Sequence, residues 1–401
     1  MKEIHSVAVR YISRREFLRR LSAVAVGTAV GGALGGCGPT AEPTAVAPAT
    51  QAPPTTAPVV EEAGGEVGGQ LDFFSWEGYD MLSATEKWRA DNGIDLKSGY
   101  IASSEDTAAK VLSPAGAGID VITYAYPYYQ AWGDLGVFSE FTVDEVPNIK
   151  RMYPFFQEGK YWRTSQGNYI GVPLTWLTYV CNYRSDLIDP PQTWAELIEP
   201  QYAGKVAIVE DPAANILVAS AVLGLPTETM TKSQLEEVKQ FLLALKANAK
   251  TIAPSYGDLS NLLISGEAAA TFVGWGALDV WGQADGVAVS SVLPEDGVVL
   301  MVDAYAIPPT TDNRPTALAW LNEMLSDEVQ LSVVNDLLTA TVVPDVVPLI
   351  EDEGVRNLYD YDNLQTLFEE NPLKMFPPTE ATGDQVTFAD WLKVWEEVKA
   401  S

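Results

Sequence analysis

From residue 71 to residue 401, short apolar runs alternate with segments whose apolar residues recur every three or four positions, and this alternation sets the fold class. The runs at 71–75, 94–100, 119–123, 205–209, 269–274 and 287–293 have the length of strands. Helices are expected at 84–92, stopped by Gly93, after a cap at Ser103 or Ser104, and at 216–223, 315–325 and 388–398. The clearest helix follows Thr231 and Gln234, a capping-box pair before Leu235, Val238, Phe241, Leu242 and Leu245 on one face. Such alternation builds α/β layers with mixed, mostly parallel sheets, and their ligands sit beyond the carboxyl ends of the strands. About 330 residues exceed one compact core, so two lobes are expected.

The residues before 71 read differently. Ser13, Arg14, Arg15, Glu16, Phe17 and Leu18 resemble the twin-arginine export motif, and a run of Ala, Val, Gly and Leu follows from Leu21. That run is about 16 residues long and glycine-rich, short of the roughly 20 apolar residues a spanning helix needs. Leu34, Gly35, Gly36 and Cys37 resemble a lipobox, with Cys37 as the lipid-attachment residue. The expectation is an exported lipoprotein, periplasmic or at the cell surface, with residues 1–36 removed as a signal peptide. Residues 37–69 carry six prolines among Ala and Thr and then four glycines, with no apolar periodicity. Such a stretch buries too little to offset its ordering entropy and reads as a disordered tether, with a reach of at most about 90 Å.

Charge and composition exclude several chemistries. With 54 acidic and 25 basic residues the formal net charge is −29, and loss of residues 1–36, which hold six Lys or Arg and two Asp or Glu, takes it to −33. That surface repels nucleic acid. His5 is the only histidine and would leave with the signal, which excludes a Ser-His-Asp triad and histidine-ligated metals. Cys181 then stands alone in an apolar run, a buried residue with no disulfide partner. There is no phosphate loop, no CxxC and no HExxH. Asp360, Asp362, Asn363 and Glu369 lack the spacing and central Gly of an EF-hand and read as a solvated surface. No cofactor or metal is expected, and an exported hydrolase using two carboxylates is the one enzymatic alternative.

What remains are aromatic residues beside carboxylates at the ends of expected strands. Trp76, Glu77 and Tyr79 follow 71–75, Asp211 follows 205–209, Trp275 follows 269–274, and Asp303 precedes Ala304 and Tyr305. Ring faces attract a cationic amine through their quadrupole, and carboxylates accept its N–H hydrogen bonds. Contacts of about 0.5–2 and 1.5–3 kcal/mol could together reach roughly 8 kcal/mol, near a micromolar dissociation constant. Each Trp could equally be packing and each Asp a helix cap; four such turns in one chain favour a site.

Over residues 71–399 the chain resembles the extracellular solute-binding proteins of the spermidine/putrescine ABC importers. The landmarks are Trp76 with Tyr79, Ser103-Ser104-Glu105 before Lys110, Gly118-Ile119-Asp120-Val121, Gly171-Val172-Pro173-Leu174, Thr193-Trp194-Ala195-Glu196-Leu197, Asp211-Pro212, Ser265-Gly266-Glu267 leading to Trp275, and Asp303 with Ala306-Ile307-Pro308. The resemblance implies a two-lobe type II periplasmic-binding-protein fold, hinge-connected, that captures a small-molecule ligand, a putrescine- or spermidine-like polyamine, in the cleft and delivers it to an ABC permease by hinge closure; a monomer is expected. It implies crossings near 178–181, 300–303 and 349–352, hence one lobe of 70–178 and 303–349 and another of 182–300 and 352–401. It also implies ligand positions at Trp76, Tyr79, Asp211, Trp275 and Asp303, to which the candidate set adds Tyr126, Tyr128 and Met301 as neighbours and Glu77 as a further negative charge. The chain departs from the family pattern at Ala214, Met301, Pro127 and Thr341, so a diamine, another organic cation or a sugar remain open as ligands.

Overall fold

The structure, a computed structural model, describes residues 65–101 and 104–401; the expected signal peptide, Cys37 and the tether as far as residue 64 lie outside the described residues. Eleven strands form two mixed sheets among the described residues. The first contains β1 (Gly69–Ser75), β2 (Ile94–Tyr100), β3 (Val121–Ala125), β4 (Val172–Thr178), β10 (Leu300–Ala306) and β11 (Ala340–Thr341), in the order β11-β4-β10-β3-β1-β2. The second contains β5 (Cys181–Arg184), β6 (Val206–Val209), β7 (Ala249–Ala253), β8 (Ala270–Phe272) and β9 (Val289–Val292), in the order β7-β6-β8-β5-β9. In each sheet the strands read from the sequence, β1 with β2 and β3, and β6 with β8, pair in parallel. Strands that enter from the other sheet pair antiparallel, β10 beside β3 and β4, and β5 beside β8 and β9; the short β11 is also antiparallel to β4.

Local chemistry explains the elements. β1 buries Leu71, Phe73, Phe74 and Ser75, as a strand covered on both faces must. The helix Lys232–Asn248 starts at a complete capping box between Thr231 and Gln234, and Leu235, Val238, Phe241, Leu242 and Leu245 are its buried stripe. The helix Pro212–Val222 begins four residues before the expected 216, because Asp211 caps it and Pro212 takes the first-turn position where no N–H is needed. Cys181 is fully buried, and burial pushes its thiol up to about 12, so it stays a protonated packing residue.

Two apolar cores meet at the crossings. One is built around Phe73, Phe156, Trp162, Trp176 and Trp320, and the other around Trp194, Phe241, Phe272, Trp391 and Trp395. The chain passes from β4 to β5 through Tyr179 and Val180, and returns through Val299 into β10. Tyr179 N donates to Val299 O at 3.0 Å, so the two passages run side by side. Leu177, Trp275, Trp281 and Met301 pack against both cores.

A third passage lies later than the expected 349–352. Ile350, Val355, Tyr359, Tyr361, Leu364, Phe368, Leu373 and Met375 all belong to the first core, whereas Phe376 packs against the second and Val386 is buried in it. Residues 353–375 thus contribute their buried apolar side chains to the first core. The reason is aromatic packing: Tyr359, Tyr361 and Phe368 close edge-on over Trp176 at ring-centre distances of 5.3, 5.9 and 5.7 Å. Tyr361 Oη also accepts from Thr341 N at 3.2 Å, which puts a tyrosine from another part of the chain beside the position where the sequence lacks one.

Candidate functional site

β10 alternates: Leu300, Val302 and Ala304 face the core, which leaves Met301 and Asp303 on the other face of the strand. The pairing of β10 with β4 shifts register between Asp303 and Ala304, an irregularity of the kind that re-aims a side chain beside a site. Tyr79 Oη donates to Asp303 Oδ2 at 2.6 Å, and Tyr305 Oη holds the carbonyl of Tyr79 at 2.6 Å. Tyr79 is carried on the turn that follows β1, where Gly78 takes a left-handed φ of 90° that most side chains resist. Trp76 is half-buried on the same turn, and Glu77 is exposed beside it.

Burial pushes the Asp303 carboxyl up to about 6, against the lowering effect of the Tyr79 hydroxyl. Burial and then the Asp303 charge hold the Tyr79 hydroxyl well above its usual range, so it remains a donor. A partly desolvated carboxylate with one tyrosine donor, and no basic side chain bonded to it among the described residues, has spare acceptor capacity for a cation.

The second sheet supplies a matching acid. Asp211 follows β6 and uses Oδ1 to cap the helix Pro212–Val222, accepting from Ala214 N at 3.0 Å. Its other oxygen, Oδ2, accepts from Tyr256 Oη at 3.1 Å. Asp211 is thus both the helix cap and the acid at the strand end. Trp275 follows β8 and sets its ring edge-to-face on Tyr256 at 4.7 Å and on Trp281 at 5.5 Å. The indole nitrogen of Trp275 is buried without a hydrogen-bond partner.

Tyr179, on the first crossing, links the two halves. Burial, followed by the charges of Asp211 and Asp303, holds its hydroxyl well above the usual range, and it hydrogen bonds Tyr256. Trp275 and Met301 thus pack against both cores, and Tyr79, Asp211 and Asp303 lie near Tyr179 on the crossing, with Trp76 on the turn that carries Tyr79. Sequence reasoning missed Tyr179, Tyr256, Trp281 and Tyr305; the signal was present for Tyr179, which sits within the expected crossing at 178–181.

Tyr126 and Tyr128 have a different setting from the one expected. Tyr126 is fully buried, and its hydroxyl donates to Lys374 O at 2.8 Å and accepts from Lys374 N at 2.9 Å. Tyr161 Oη holds the neighbouring Leu373 O at 3.2 Å. Tyr128 packs edge-on against Phe376 at 4.9 Å, and Phe376 stacks on Phe388 at 4.7 Å. These rings fasten the third passage to both cores. At the acidic stretch, Asn363 Nδ2 donates to Asp360 at 2.9 Å, and Asp360, Asp362 and Glu369 are exposed.

Comparison with known proteins follows from this geometry. The family described as bacterial extracellular solute-binding protein matches residues 83–357. The chain is 23% identical over 299 residues to a spermidine/putrescine-binding periplasmic protein of Salmonella typhimurium, covering 74% of this chain and 84% of that protein. It is 22% identical over 344 residues to the putrescine-binding periplasmic protein PotF of Escherichia coli, covering 81% and 90%. The spermidine/putrescine ABC transporter substrate-binding protein PotD from Streptococcus pneumoniae superposes with a TM-score of 0.69 at 18% identity, over 82% of this chain and 98% of that one. That likeness fixes the two-lobe α/β fold. The matched stretch runs through β10 and the crossings that gather the two acids, and it makes the protein a solute receptor rather than an enzyme: the chain belongs to the bacterial extracellular solute-binding protein family.

Proposed function

We propose that the protein captures a polyamine of the putrescine or spermidine kind between its two lobes and presents it to an ABC permease. The observation that carries this is the pair of acids, Asp303 from the first sheet and Asp211 from the second, each accepting a hydrogen bond from a tyrosine hydroxyl and each acting through its charge on Tyr179 of the crossing. Two separated carboxylates flanked by indole and phenol faces suit a chain with an ammonium group at each end. The names of the relatives support the same ligand class.

Ligand that touches both lobes stabilises the closed state, and a permease can then read closure as the loaded signal. The side-by-side passages at Tyr179 and Val299 are the natural hinge, and the segment from Met375 to Val386 is the third link between lobe 1 and lobe 2. Export by the twin-arginine route, anchoring through Cys37 and a monomeric state complete the reading. Trp76, Tyr79, Trp275 and Met301 would form the walls, and Glu77 would add negative potential at the rim.

A thermal-shift panel of putrescine, spermidine, spermine, agmatine, choline, betaine and several sugars tests the class. A saturable rise of several degrees with one polyamine is expected, since ligand at a hundred times its dissociation constant adds about 2.7 kcal/mol. A response to a sugar alone would retain the receptor and refute the amine.

A further inference from the structure

β5 continues directly from the first crossing, and its second residue, Asn182, is fully buried under the Trp275 turn. Its side-chain Nδ2 donates to the carbonyl of Trp275 at 3.0 Å and to Asp279 Oδ1 at 2.9 Å. Both partners are acceptors, which fixes the orientation of the amide and leaves Asn182 Oδ1 without a partner of its own. That oxygen lies against Gly274, where any Cβ would collide with it. One residue earlier, buried Val273 takes a left-handed φ of 63°, a conformation that a β-branched residue adopts only when its surroundings impose it. The imposing contacts are a two-bond bridge between Val180 and Gly274, at 3.0 and 2.9 Å, and the Asn182 amide. The bridge starts on the crossing itself.

We propose that Asn182 is a positioning residue for binding: it ties the Trp275 turn to the crossing strand, so that the Trp275 wall is held at the angle that meets Tyr256 and moves with the hinge. The inference rests on the reading of Trp275 as a wall of the cleft. The path is continuous, from Val180 and Asn182 to Trp275, from Trp275 to Tyr256 at 4.7 Å, and from Tyr256 to Asp211 at 3.1 Å. A strained Val273 and an obligatory glycine at 274 have no use in closing β8, which ends at Phe272. They do have a use if the residue after them must point in one direction only.

The test uses the whole chain labelled with fluorotryptophan, with the Trp275 resonance assigned by Trp275→Phe, and titrations with putrescine. Asn182→Ala is the first variant, and Asn182→Leu, which keeps the branched shape with somewhat more bulk and removes the donors, is the second. In the ligand-free protein either variant should shift or broaden the Trp275 fluorine signal while those of Trp162 and Trp391, deep in the two cores, stay in place. Putrescine affinity should fall about tenfold or more in Asn182→Ala, and by no more than about twofold when the same change is made in a Trp275→Ala background. An unmoved Trp275 signal would overturn the proposal, and so would an equal loss of affinity in both backgrounds. Failure of both variants to fold would make Asn182 a core residue and overturn it as well. If Trp275→Ala leaves putrescine binding unchanged, the reading of the wall fails, while the fluorine signal still decides whether Asn182 sets the position of Trp275.

Discussion

Replacing Asp303 by Asn should make the ligand-free protein more stable while it destroys binding. Burial moves the Asp303 carboxyl from 3.8 to about 6. That displacement corresponds to about 3 kcal/mol of destabilisation above pH 6, where the group is ionised in both the folded and unfolded chain. The sign follows from proton binding: the folded state holds the proton more tightly, so the favourable contribution is full below 3.8 and is lost as pH rises through about 6. Asn keeps the shape and can still accept from the Tyr79 hydroxyl at Oδ1, but it carries no charge. Its amide needs a new partner, which offsets part of the gain and leaves about 1–2 kcal/mol at pH 7.5. With an unfolding entropy of about 2.1 cal/mol/K per residue over about 330 residues, Tm should rise by roughly 1.5–3 °C. At pH 5 the penalty itself drops to about half while the cost of the unpaired amide stays, so the gain should nearly vanish, because Asp303 is then protonated in the folded protein. Calorimetric unfolding at both pH values measures it. A lower Tm for Asp303→Asn at pH 7.5, or a gain that is the same at both pH values, would refute the argument that Asp303 is held ready for a cation.

Two further predictions follow. Putrescine keeps both charges below pH 8, so its affinity should fall about tenfold between pH 7.5 and pH 5 as Asp303 takes up its proton, with proton release on binding at pH 6; a flat pH profile in calorimetry would contradict this. Phe376→Ala removes the ring shared by Tyr128, Phe388 and Trp391 at the third passage, so stability should fall by about 2 kcal/mol, visible as a Tm lower by about 3 °C; an unchanged Tm would mean that the passage is not fastened there.

Local rules made much of the fold legible. β2 spans Ile94–Tyr100, as expected, and the capping box at Thr231 starts its helix as expected. β3 begins at Val121, two residues after the expected 119, because apolar runs carry composition and leave register to the partner strand. The strand-end acids were readable because a carboxylate after an apolar run has few reasons to be there. Asp211 shows why a cap and a site could not be told apart in sequence: one oxygen caps the helix and the other takes a tyrosine.

The rest depends on contacts between distant residues. Tyr126 looked like a cleft aromatic, but its hydroxyl is taken by Lys374, 248 positions away. Short helices such as Glu353–Arg356 and Leu364–Glu370 bury one or two residues each, too few for their periodicity to say which core they join. Asn182 gives no signal at all in a run of tyrosines and valines, since its importance arises from the glycine at 274 and the carbonyl of Trp275.

The most direct measurement is a calorimetric titration of putrescine into the wild-type protein, Asp211→Asn and Asp303→Asn at pH 7.5. The predicted result is one saturable site in the wild type, at least tenfold weaker in each variant, because an ammonium in a partly buried site loses its partner. Equal affinity in all three proteins, or no heat in the wild type, would contradict the assignment of an amine to this cleft.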